Sequence, residues 1–91
     1  MSENLKRYTT VGGREIDIDV SDDAIKSVRK RYCDTPLKHK DTVKHPLFSK
    51  KANVVGVAYS GAQRKNVLYF AFDGDDGRVS TFHTPKKVLK I

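Results

Sequence analysis

The sequence predicts an α+β fold: an antiparallel β-sheet, built from an N-terminal hairpin and a C-terminal three-stranded meander, packed on one α-helix. Three observations carry this. Within residues 14–20 polar and apolar side chains alternate strictly from Glu15 onward, the period of a strand with one buried face. Residues 21–33 open with Ser21, Asp22 and Asp23 and continue with apolar residues at helical spacing. Residues 54–84 hold three β-prone runs separated by breaks rich in Gly, Asp and Asn. With 91 residues the chain is expected to form a single domain, 1–91, small but long enough to bury a core.

The hairpin comes first. Residues 7–11 are β-prone, Gly12-Gly13 reads as a two-residue turn, and 14–20 form the return strand. Ile16, Ile18 and Val20 then share the buried face, while Glu15, Asp17 and Asp19 make an acidic, solvated face that repels polyanions. The helix is expected over 22–33. Ser21 is its N-cap, and Asp22 and Asp23 complement the positive end of the helix dipole. Ala24, Ile25, Val28 and Tyr32 form the buried stripe, and Lys26, Arg29 and Lys30 lie outside, with Arg31 near the edge. Asp34-Thr35-Pro36 stops it, because the residue before proline disfavours helix.

Residues 35–53 have no regular period. Leu37, Val43, Leu47 and Phe48 are unevenly spaced, and Pro36 and Pro46 break any long element. The reading is a basic loop, with room for a short helical turn, anchored by Leu47 and Phe48. The meander follows as strand 54–60, loop 61–66, strand 67–73, turn 74–77 and strand 78–84. Pro85 interrupts it, and 88–91 has the composition of a short terminal strand. The middle strand, Val67-Leu68-Tyr69-Phe70-Ala71-Phe72, is apolar on both faces, so both are expected to be covered. Leu68, Phe70 and Phe72 belong to the core on this reading.

Charge is the strongest functional signal. Residues 26–51 carry nine Lys/Arg against Asp34 and Asp41, a net +7 that equals the charge of the whole chain. Such a block on a folded domain favours polyanionic partners. Cations at the end of a helix account for Lys30 and Arg31, but not for Lys38, Lys40, Lys44, Lys50 and Lys51 downstream. The leading expectation is therefore a small nucleic-acid-binding protein, for DNA or RNA, that contacts the phosphate backbone through helix 22–33 and the basic loop 36–51. Lys26, Arg29, Lys30, Lys38, Lys40, Lys44, Lys50 and Lys51 would carry the contact. Tyr59 and Tyr69 are the aromatics available to stack bases.

Other motifs are weaker. Cys33, His39 and His45 are spaced unlike a zinc site and have no fourth ligand nearby, so no metal is expected. Asp73-Gly74-Asp75-Asp76-Gly77 lacks the ligand positions of a calcium loop and reads as a turn. Gly12-Gly13 does not sit in a phosphate-binding pattern, and no cofactor is expected. No apolar run is long enough to span a bilayer and residues 1–7 lack the apolar core of a signal peptide. With a single cysteine, Cys33, the chain fits a reducing, cytoplasmic setting without membrane attachment.

His83 is the best candidate for chemistry. It lies near the end of a strand, followed by Lys86, while Arg64 and Lys65 occupy the loop before the preceding strand. Brought together, His83 could move a proton while Arg64, Lys65 or Lys86 stabilised a pentacovalent phosphate. In size, charge and element order, a helix followed by a basic meander resembles the compact RelE-like and barnase-like ribonucleases. That resemblance implies a metal-independent ribonuclease, although the opening hairpin departs from RelE-like chains and no catalytic motif matches residue by residue. A third reading is an accessory or inhibitor module that binds an acidic protein partner.

Overall fold

The computed structural model describes residues 4–46, 50–83 and 86–91. Strands β1 (Leu5–Thr9) and β2 (Glu15–Asp19) pair antiparallel, with Leu5 opposite Asp19 and Thr9 opposite Glu15. Their connection is not the two-residue turn expected of Gly12-Gly13. Thr10 N–H donates to Arg14 O at 2.7 Å, so Val11, Gly12 and Gly13 form a three-residue loop. Gly13 N–H donates to Thr10 O at 2.9 Å and Gly13 has φ +90°. Only the last loop position needs the left-handed conformation, and glycine adopts it without a Cβ penalty.

Helix α1 spans Asp22–Arg29, with Ser21 Oγ accepting from Ala24 N–H at 3.3 Å. It is shorter than the expected 22–33. The Arg29 guanidinium folds back to donate to the carbonyls of Cys33 (3.1 Å) and Asp34 (2.7 Å). The chain leaves the helix in tight turns, with Tyr32 and Cys33 N–H both donating to Arg29 O at 2.8 Å. Tyr32 still reaches the core and is fully buried.

The remaining strands are β3 (Thr42–Lys44), β4 (Lys51–Ser60), β5 (Lys65–Phe72) and β6 (Leu89–Lys90). Together they form a six-strand antiparallel sheet in the order β1-β2-β4-β3-β6, with β5 also paired to β4. β3 lies where a loop was expected. With three residues it is too short to show alternation, and Val43 is its single buried side chain. It pairs with β4 (Val43 opposite Ala52) and with β6 (Val43 opposite Lys90). The proposed anchors Leu47 and Phe48 lie outside the described residues.

The third arm of the meander, expected over 78–84, is reduced to two bridges: Ser80 pairs antiparallel with Phe70, and Val79 pairs parallel with Thr10. The preceding turn has Gly74, Asp76 and Gly77 at positive φ and carries the chain away from β5. The two bridges have a larger consequence. Backbone hydrogen bonds run from β1 to β2, β4, β5, residues 79–80 and back to the end of β1. Part of the sheet is therefore a closed ring, which leaves no free edge there.

The closed ring divides the core in two. One cluster lies between α1 and the sheet and includes Ile25, Val28, Tyr32, Leu37, Val43, Val54, Leu68, Phe70 and Val88. The other gathers Ile18, Val55 and Val79, with Tyr8, Ile16, Val20 and Tyr69 packed against it. Ile16, Ile18 and Val20 do share one inward face, but in this second cluster and not under the helix. β5 contributes to both, Leu68 and Phe70 to one and Tyr69 and Ala71 to the other, which explains its unbroken apolar sequence. Among the described residues, no helix is long and apolar enough to cross a membrane.

Candidate nucleic-acid interface

The cations of the 26–51 block occupy distinct local settings. Lys26 and Lys30 are exposed on and just beyond α1. Arg29 is half-buried, its guanidinium engaged with two backbone carbonyls. Lys38 and Lys40 project from a short loop pinned to the middle of β4. Lys38 N–H donates to the Asp41 carboxylate at 2.8 Å, Lys40 N–H to Val54 O at 2.7 Å, and Val54 N–H to Asp41 O at 2.8 Å. His39 reinforces the anchor, with Nδ1 2.7 Å from Val55 O. A carbonyl can only accept, so this nitrogen carries the hydrogen.

Lys44 and Lys51 stand directly opposite each other in the β3–β4 register, both exposed, on the side of the strands away from buried Val43 and Ala52. Leu89 of β6 is opposite Lys44 on the other side and is also exposed. Lys50 reaches the 73–77 turn, its Nζ 3.8 Å from where a Cβ on Gly74 would stand.

The two acids of the block are both engaged by the C-terminal segment. Lys87 Nζ lies 2.9 Å from Asp34 and also donates to Lys30 O at 2.6 Å. Lys90 Nζ lies 3.4 Å from Asp41. The Lys87 ammonium, by hydrogen bond and charge, holds the Asp34 carboxyl below the ordinary aspartate range. Among the described residues, Lys44, Lys51, Lys38 and Lys40 form no ion pair with a carboxylate. On the opposite flank, Arg7 bridges Glu15 (3.5 Å) and Asp17 (3.1 Å). The acidic face of β2 is thus partly neutralised by its own hairpin partner.

The ribonuclease candidates come together only in part. Arg64 is exposed with φ +57°, and Lys65, the first residue of β5, is also exposed. Gln63 Nε2 donates to Phe82 O at 2.8 Å, which ties this loop to the segment that carries exposed His83. Arg31 donates to Asn66 O at 3.0 Å and adds a cation that sequence reasoning left at the helix edge. Lys86 is exposed beyond Thr84 and Pro85, which lie outside the described residues. Cys33 is buried in the core beside Tyr32, and His45 packs its ring 5.9 Å from Phe82.

Clefts at two other places among the described residues do not include His83, Arg64, Lys65 or Lys86. One lies by the 74–78 turn, lined by Val11, Asp75, Asp76 and Arg78. The other opens at one end of the ring, between Thr10, Arg14 and Ile16 on the hairpin and Tyr59, Gly61 and Tyr69 on the β4–β5 pair. Burial pushes the Tyr69 phenol up, opposed in smaller measure by the positive charge of Arg14. Arg14 carried no signal in the sequence, because only the closing of the ring brings the hairpin loop to β4 and β5. The chain finds no match among protein-family models, curated proteins or solved structures.

Proposed function

We propose that this protein binds nucleic acid through the phosphate backbone, with Lys44 and Lys51 at the centre of the contact and Lys38 and Lys40 beside them. One observation carries the reading: two lysines in cross-strand register, without a carboxylate partner among the described residues, while the two acids of the same block, Asp34 and Asp41, are held by Lys87 and Lys90. Like charges set directly opposite each other destabilise a strand pair. A polyanion relieves that repulsion and releases its own counterions when it binds. Lys26 and Lys30 on the helix, and Lys50 by the turn, extend the positive surface, while Arg29 serves mainly to close the helix. The buried free thiol of Cys33 fits a reducing, cytoplasmic setting.

A metal-independent ribonuclease is the second reading, favoured by the Gln63–Phe82 hydrogen bond that links the Arg64 and Lys65 loop to His83. Fluorescence anisotropy with labelled single-stranded RNA, single-stranded DNA and duplex DNA, at low and near-physiological salt, tests both. Binding that weakens steeply with salt and leaves the probes intact is the expected result. Shortened RNA that survives intact with His83→Ala enzyme would shift the assignment to the nuclease. No binding at low salt would overturn the nucleic-acid reading and direct the basic surface to an acidic protein.

A further inference from the structure

The cleft at the end of the ring gathers hydrogen-bond donors that the basic face does not use. Among the described residues, no carboxylate lines it. Tyr59 stands two residues from Val57 and opposite Asn66, so its side chain lies on the Val57 and Leu68 face, where α1 packs. Tyr69 lies on the opposite face, half-buried against the inner cluster. Thr10 Oγ1 accepts from Arg14 N–H at 3.1 Å and Ser60 Oγ from Gln63 N–H at 3.2 Å. A hydroxyl that accepts keeps its own hydrogen to donate. Arg14 is exposed and forms no ion pair with a carboxylate among the described residues. Its positive charge is felt at the Tyr69 phenol, where burial keeps the proton on the oxygen.

We propose that this cleft binds a phosphate monoester, with the Arg14 guanidinium and the hydroxyls of Tyr69, Thr10 and Ser60 donating to its oxygens. Such a group carries a charge of about −1.5 to −2 at pH 7 and offers three strong acceptor oxygens. Arginine can meet it with two parallel hydrogen bonds, and the nearby acids Glu15 and Asp17 are engaged by Arg7. The cleft volume is about 270 Å³, below the roughly 300–1,000 Å³ of sites for drug-sized ligands, which suits a phosphate and the sugar that carries it. A group that enters from the rim meets the inner cluster behind Ile16 and Tyr69, an arrangement for a chain end. A monoester stands at the end of a nucleic-acid strand or on a free mononucleotide, and not within a chain. The site therefore goes beyond the backbone contact proposed above, and binding of a free nucleotide does not depend on that contact.

The test is an NMR titration of the full chain with adenosine monophosphate and with adenosine, beside affinities for one oligonucleotide with and without a terminal phosphate. The monophosphate, and not the nucleoside, should shift the Arg14 Nε–H and the Gly61 amide. Arg14→Gln should weaken its binding about tenfold, and Tyr69→Phe about threefold, as for one charged and one neutral hydrogen bond. Gly61 has open space where a side chain would stand, so Gly61→Asp sets a carboxylate at the rim without touching the core and should also weaken binding. It keeps the test alive if Tyr69→Phe disturbs the fold. A terminal phosphate that raises oligonucleotide affinity in wild type and not in Arg14→Gln identifies a strand end as the ligand. Monophosphate binding with equal affinity for the two oligonucleotides identifies a free nucleotide. Wild-type monophosphate affinity in both Arg14→Gln and Gly61→Asp, equal shifts with adenosine, or no binding of either phosphate form would overturn the cleft assignment. Arg14-dependent monophosphate binding by a protein that holds no oligonucleotide at low salt would uphold this site and overturn the nucleic-acid reading alone.

Discussion

Lys44 and Lys51 face each other across the β3–β4 pair, two ammonium groups in register on the exposed side of the sheet. A fold selected for stability alone would avoid this arrangement, since an opposite-charge pair at the same position is favourable. Lys44→Glu should therefore stabilise the protein by roughly 0.2–1 kcal/mol at low salt, read as a higher urea midpoint. The same substitution should weaken nucleic-acid binding and lower the slope of affinity against salt. A variant that is more stable and binds as wild type would remove the β3–β4 pair from the interface.

Gly56 is fixed by its neighbour on β2. A Cβ at this position would collide with Asp19 O and with Ile18 Cγ2. The first is backbone in the β2–β4 pair, where Asp19 stands opposite Val57, so it cannot yield without opening the ring. Gly56→Ala should cost about 2 kcal/mol or more, in the range of overpacked cores, and chemical denaturation measures it. Full stability would mean that β2 and β4 separate easily and that this contact does not hold the ring shut.

The outer edge of β5 is closed by side chains as well as by Ser80. Tyr32 Oη accepts from Leu68 N–H at 3.4 Å, and Thr81 Oγ1 donates to Leu68 O at 2.7 Å. Tyr32→Phe keeps the ring that packs 5.7 Å from Phe70 but leaves a buried N–H without its acceptor. The expected loss is about 1–2 kcal/mol. Amide exchange at Leu68 should quicken more than at Phe70, whose N–H donates to Ser80 O. Equal exchange at both sites would exclude Tyr32 as the local partner.

The Asp34–Lys87 pair has a defined pH signature. The carboxyl is held below its ordinary value by the ammonium that hydrogen-bonds it, so the folded state binds this proton less readily than the unfolded state. Its contribution to stability is present above the unfolded aspartate value of about 3.9 and fades as pH falls through the depressed folded value. An NMR titration should find Asp34 below the ordinary range and Lys87→Ala should return it there. Salt should shrink the difference, because the Asp34 side chain is 93% exposed to solvent.

Much of the fold was legible from local pattern. Ser21, Asp22 and Asp23 marked the helix start, and the alternation around Ile16, Ile18 and Val20 marked a strand with one buried face. The unbroken apolar run of β5 announced two covered faces. What misled was the helix end, where Arg29 turns the chain before Pro36 can act. β3 escaped notice because a three-residue strand carries no period. The third meander arm was overextended because turn chemistry at 73–77 identifies a turn but not the path that leaves it.

The candidate site divides along the same line. The amino-acid sequence by itself determined the excess of positive charge in 26–51 and the tyrosines available for stacking, since composition and local period need no knowledge of distant contacts. Tertiary structure alone decided which of those charges are unopposed. Asp34 and Asp41 look like neutralising acids in the sequence, yet they are taken by Lys87 and Lys90 from the far end of the chain. It likewise decided that Lys44 faces Lys51 and that Arg14 meets Tyr69 in one cleft. The reason is physical: strand register and ring closure are set by hydrogen bonds between segments tens of residues apart, and charge acts through distance in space and not along the chain.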